Sequence, residues 1–83
     1  MRERWTRFAR VHEATDRWLE VVPDMDWKVN DIAQVIRTGE KMLVDEVQFQ
    51  RGNTLLKVQR GYDETKADRV HDSDDLTRVG AKS

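Results

Sequence analysis

Residues 39–61 read GEKMLVDEVQFQRGNTLLKVQRG, two apolar, β-branched runs on either side of Arg51-Gly52-Asn53. In the first run Val47 and Phe49 alternate with Glu46, Gln48 and Gln50; in the second, Leu56 and Val58 alternate with Lys57 and Gln59. Alternation of period two around a Gly-Asn pair predicts a β-hairpin, with Gly52 and Asn53 reversing the chain at positive φ. A sheet in the middle of so short a chain constrains what its neighbours can be. The fold expected is mainly β: a small twisted sheet or partly closed barrel of five or six short strands.

Working towards the N-terminus, Gly39 supplies a second turn with φ > 0. Trp27–Arg37, WKVNDIAQVIR, admits two readings. Asn30-Asp31 can cap a short helix from Ile32, or Ile32–Ile36 is a buried strand; the adjoining hairpin favours the strand. Pro23-Asp24-Met25-Asp26 has turn chemistry, and RWLEVV at 17–22 has strand composition. Residues 1–15 fit a helix through Trp5, Phe8, Ala9 and His12, or a strand alternating Trp5, Arg7, Ala9 and Val11. They are read as an N-terminal arm, helical or extended, ahead of a β-rich domain at 16–80. Beyond Gly61, residues 62–68 are polar and turn-like, Leu76–Val79 reads as a last short strand, and 81–83 as a frayed tail.

The chain has 83 residues, 37% apolar and 37% charged, and no Cys. Its core must be thin and no disulfide can reinforce it, which favours an assembly that shares the load. Net charge is −1, so bulk charge gives no support for a nucleic-acid partner. Arg2, Arg4, Arg7, Arg10 and Arg17 lean towards the N-terminus, but Glu3, Glu13 and Asp16 interrupt them. That pattern reads as a solvated or partner-facing arm. Nothing approaches the roughly 18 apolar residues of a membrane span, and no secretory h-region is visible. A soluble chain made in a cytoplasm is expected, with no membrane partner.

Chemistry-bearing motifs are sparse. No nucleophile–base pair can be named, so no enzyme activity and no cofactor is expected. His71-Asp72-Ser73-Asp74-Asp75 is the densest acidic cluster. Counted as a calcium loop from Asp72, it puts Thr77 where glycine is required and Ser83 where glutamate is required; it reads as a solvated turn, and no metal site is assigned. A helix-turn-helix over 29–48 is the DNA-binding alternative. Its recognition helix would present Glu40, Asp45 and Glu46 to a polyanion with only Lys41 to offset them.

The segment Trp27–Gly80 resembles a β-rich module of tailed-bacteriophage virion structural proteins, found in capsid, head-decoration and tail or baseplate components. The residues that carry the likeness are Val29-Asn30-Asp31-Ile32, Gly39-Glu40, Leu43–Val47, Gly52-Asn53-Thr54-Leu55, Val58-Gln59-Arg60-Gly61, Thr65, Ala67, His71 and Asp75–Gly80. Trp18–Val21 resembles the module's leading strand. The chain departs from the pattern at Glu64, where the module has glycine, so the loop after Tyr62 is expected to avoid φ > 0 there. The resemblance implies a virion structural protein acting by protein–protein contact, in the first instance a capsid decoration, cement or head component. The alternative is a tail, baseplate or connector component. Expected partners are other virion proteins and copies of itself. Trp5 and Phe8 are the expected anchors of the arm. Arg60 is expected to pair with Asp45 or Glu46, or with a carboxylate of an adjoining subunit. Gly39, Gly52, Asn53 and Gly61 are the expected structural turns, and an unpaired sheet edge is a further docking element.

Overall fold

A computed structural model describes residues 8–23 and 25–82. Six strands form a closed antiparallel barrel: β1 (Ala9–Ala14), β2 (Trp18–Val21), β3 (Asp31–Val35), β4 (Lys41–Gln50), β5 (Asn53–Tyr62) and β6 (Asp75–Ala81). Around the barrel the order is β1-β2-β5-β4-β3-β6. The mainly-β expectation is met, and closure is complete because β6 inserts between β3 and β1.

Side chains of alternate residues fill the interior, as a barrel this narrow requires. Ala9 and Val11, Leu19 and Val21, Ala33 and Val35, Met42 and Val44, Leu56 and Val58, and Leu76 make the core, with Met25, Trp27 and Val70 contributed by connections. Each large aliphatic side chain so buried is worth about 1.5–3 kcal/mol against exposure.

Several expectations need correction. Residues 9–14 are a strand paired with both β2 and β6. The barrel therefore begins at Ala9, and no boundary falls after residue 15. Ala9 and Val11 carry the period-two pattern that decides this. At the other end Ala81 pairs with Asp31, and the Lys82 N–H donates to the Asn30 carbonyl, so 81–82 are held rather than frayed. Ile32–Val47 is two paired strands, so the helix-turn-helix over 29–48 does not exist, and the DNA-binding alternative built on it falls with it.

The central hairpin is present, with Val47 opposite Leu56 and Val44 opposite Val58. Its reversal lies one residue earlier than expected. Gln50 pairs with Asn53, leaving Arg51 (φ 53°) and Gly52 (φ 79°) as the two central residues. A two-residue turn with both residues left-handed matches the twist of the strands it joins. Asn53 is extended, and its amide donates to Glu20 Oε2 at 2.8 Å, tying the hairpin to β2.

Two bulges shape the hairpin. Asp45 is the extra residue between the pairs Val44–Val58 and Glu46–Lys57. It moves the inward positions from even numbers to odd, which is why KMLVDEV does not alternate cleanly. Arg60-Gly61 forms the second bulge, between the pairs Leu43–Gln59 and Lys41–Tyr62. Gly61 has φ +60°, and a Cβ there would sit 3.1 Å from the Thr65 carbonyl oxygen. This position admits glycine for both reasons.

Candidate functional site

The turn through Thr38 and Gly39 delivers Glu40 to the start of β4, where its side chain is fully buried. Four donors converge on its two oxygens. Arg60 Nε and the Gly61 N–H reach Oε2 at 2.8 and 2.9 Å, while Arg60 Nη2 and the Asp68 N–H reach Oε1 at 2.9 Å each. Arg60 also donates to the Asp16 and Asp68 carbonyls. Burial alone would push the Glu40 carboxyl up. The Arg60 guanidinium and the two backbone N–H groups outweigh it and hold the carboxyl below the ordinary glutamate range. A buried ion pair is tolerable when its remaining hydrogen-bonding capacity is met in this way.

A second clamp has the same plan. Arg37 donates through Nε and Nη2 to the two oxygens of Asp74 at 2.9 and 3.1 Å, and through Nη2 to the Arg69 carbonyl at 2.7 Å. Asp74 also accepts the His71 N–H at 2.8 Å. The Arg37 guanidinium holds the Asp74 carboxyl below its usual range, against the effect of burial. In each clamp the arginine holds a carbonyl of the loop before β6 and the carboxylate holds an N–H of the same loop. Thr65 adds a third tie: its Oγ1 accepts the Lys41 N–H at 2.9 Å and donates to the Tyr62 carbonyl.

The clamped loop and the Thr15–Asp16 corner border a cleft of about 780 Å³. Asp16, Asp68 and Asp72 line it together with Arg69 and His71, so its charges are mixed. Arg60 lies in its wall with its guanidinium already engaged by Glu40. Elsewhere, the Arg78 guanidinium lies over the Trp27 ring, 5.4 Å from its centroid, and approaches Asp31 at 3.6 Å. The indole Nε1 of Trp27 is buried there without a hydrogen-bond partner among the described residues.

Of the residues singled out from sequence, Trp5 lies outside the described residues. Phe8 precedes β1 and is half exposed. Arg60 does not pair with Asp45 or Glu46: Gln59 donates to Asp45, and Lys57 stands 3.8 Å from Glu46. Its partner is Glu40, inside the same chain, and its role is architectural. Gly39, Gly52 and Gly61 all have positive φ, whereas Asn53 does not. Glu64 does not avoid the left-handed region: it has φ 62°, following Asp63 at 58°. Sequence reasoning missed Glu40, Arg37 and Asp74 as anchors. A signal was present, since Gly39-Glu40 and Arg60-Gly61 each set a charge beside a turn-forming glycine.

Comparison of the chain with protein-family models, with curated proteins and with solved structures gives no match in any of the three.

Proposed function

We propose that this chain is a structural component of a tailed-phage virion, associated with the capsid as a decoration, cement or head protein, and that it works by protein–protein contact without catalysis. The supporting observation is where the residues of the virion-module resemblance meet. Gly39-Glu40, Arg60-Gly61, Thr65 and Ala67 are scattered between residues 39 and 67, yet they interlock at the Glu40 clamp. A motif that locks a loop onto a barrel suits a small scaffold that must keep its shape while its surfaces bind neighbours. The exposed hairpin end around Phe49 and the half-exposed Phe8 are surfaces suited to such contacts.

The test is to purify intact particles from lysates of cells producing the phage and measure the chain's copy number against the shell protein. Retention at a fixed stoichiometry is expected, and antibody labelling on heads rather than tails separates the capsid reading from the tail, baseplate or connector one. A chain absent from washed particles overturns the proposal. The arm is tested by a deletion ending at Arg7, which spares Ala9, buried and paired with Leu76.

A further inference from the structure

The β4–β5 hairpin runs beyond the barrel. The last β4 residue paired with β3 is Leu43, and Asn30 donates to the Val44 carbonyl. From Asp45 to Gln50, β4 has β5 alone as its strand neighbour among the described residues. The pair Gln50–Asn53 closes a two-residue turn, so Gln50, Gln48 and Glu46 direct their backbone groups towards β5. Val47 and Phe49 then direct their N–H and C=O groups outward along the edge. β5 follows the matching rule, with Thr54 and Leu56 set opposite Val21 and Leu19 of β2.

This edge is self-complementary. Antiparallel pairing of two copies about a two-fold axis through Gln48 sets each residue against the one whose number brings the sum to twice 48. Val47 then faces Phe49 of the second copy, and Phe49 faces its Val47, with the outward N–H and C=O groups forming two reciprocal hydrogen-bonded pairs. Glu46 faces Gln50, and beyond these extended pairs the bulged Asp45 lies towards the turn residue Arg51 of the second copy, so opposite charges fall near each other at both ends. Gln48 meets itself on the axis. Phe49, 81% exposed in the single chain, is covered by the opposing valine. Isologous closure of this kind consumes both edges and leaves nothing to propagate.

We infer that a second copy of this chain pairs antiparallel along the β4 edge at Val47–Phe49, joining two barrels through one continuous sheet. The inference deepens the assembly reading above, but its test uses the isolated protein, so the two can fail separately. Sedimentation velocity of the full chain at concentrations up to about 1 mM, the range in which a modest interface becomes visible, should show a monomer–dimer equilibrium. Gln48→Lys places two ammonium groups on the axis and should weaken association at least about tenfold, with the circular dichroism spectrum unchanged. Asp45→Arg and Arg51→Asp should each weaken it similarly, whereas an equimolar mixture of those two variants should form the heterodimer, in which both end pairs are again opposite in charge. A monomer at every concentration overturns the inference. So does a dimer indifferent to Gln48→Lys, or a mixture no more associated than its components.

Discussion

The guanidinium of Arg60 meets the carboxylate of Glu40 in a two-pronged pair at 2.8 and 2.9 Å, with the Glu40 side chain fully buried and only 15% of Arg60 exposed. The same carboxylate holds the N–H groups of Gly61 and Asp68. One side chain at the start of β4 thus fixes a bulge in β5 and the loop that leads into β6. The stability and dynamics of the barrel follow from this arrangement in several measurable ways.

Acid should loosen the fold through Glu40 and Asp74. Both carboxyls are held below their ordinary values, so the folded chain stays ionised where the unfolded chain begins to take up protons. Their stabilisation is complete above the unfolded values, about 4, and is lost as pH falls through the lower folded values. The urea midpoint should be insensitive to these groups above about pH 5.5 and fall below about pH 4. Glu40→Gln should lower the midpoint at neutral pH and flatten the acid limb. An acid limb parallel to that of the wild type contradicts the assignment.

Glu64 occupies a conformation that side chains resist, at φ 62°. The left-handed region costs a non-glycine residue roughly 1–2 kcal/mol, against about 0.5–1 kcal/mol of extra backbone entropy lost by glycine. Glu64→Gly should therefore raise stability by up to about 1 kcal/mol, or several degrees in Tm for a domain of this size. Glu64→Val should lower it by more than about 1 kcal/mol. A fall in Tm for the glycine variant contradicts the strain.

Removing Asp74 should free one stretch of loop and spare the hairpin. Arg37 is 45% exposed, so the charge pairing itself is partly screened by water. Asp74→Ala removes the acceptor of both Arg37 and the His71 N–H; His71 is exposed, so water takes over that N–H and the cost should be modest, about 1 kcal/mol or less. Hydrogen exchange should quicken at His71 and remain slow at Leu56, paired with Leu19, and at Val58, whose N–H donates to the Arg17 carbonyl. Uniform acceleration across the chain indicates global destabilisation instead.

Much of the barrel is legible in the residues. Alternation at Leu56 and Val58 and the Gly52 turn disclose the hairpin, and the composition of 17–22 discloses β2. The segment 1–15 is ambiguous because Trp5, Phe8, Ala9 and His12 satisfy a helical spacing while Ala9 and Val11 satisfy a strand. Pairing with Leu76, far along the chain, resolves it, and no local signal carries that contact. The Asp45 bulge interrupts the period that would otherwise reveal β4 in full. Phe49 keeps the alternation but lies past the last β3 residue, so pattern alone assigns it to a core it never reaches. The clamp has no sequence period at all, because Glu40, Arg60 and Asp68 meet only once β4, β5 and the loop are folded together.

A double-mutant cycle on Glu40→Gln and Arg60→Met, read by urea denaturation of the isolated chain, tests most directly whether Arg60 serves the architecture rather than a partner. Each single change should lower the unfolding free energy, and the double variant should lose less than the sum, with a coupling of about 1–3 kcal/mol. An Arg60→Met variant as stable as the wild type, with additive effects in the double, contradicts the clamp.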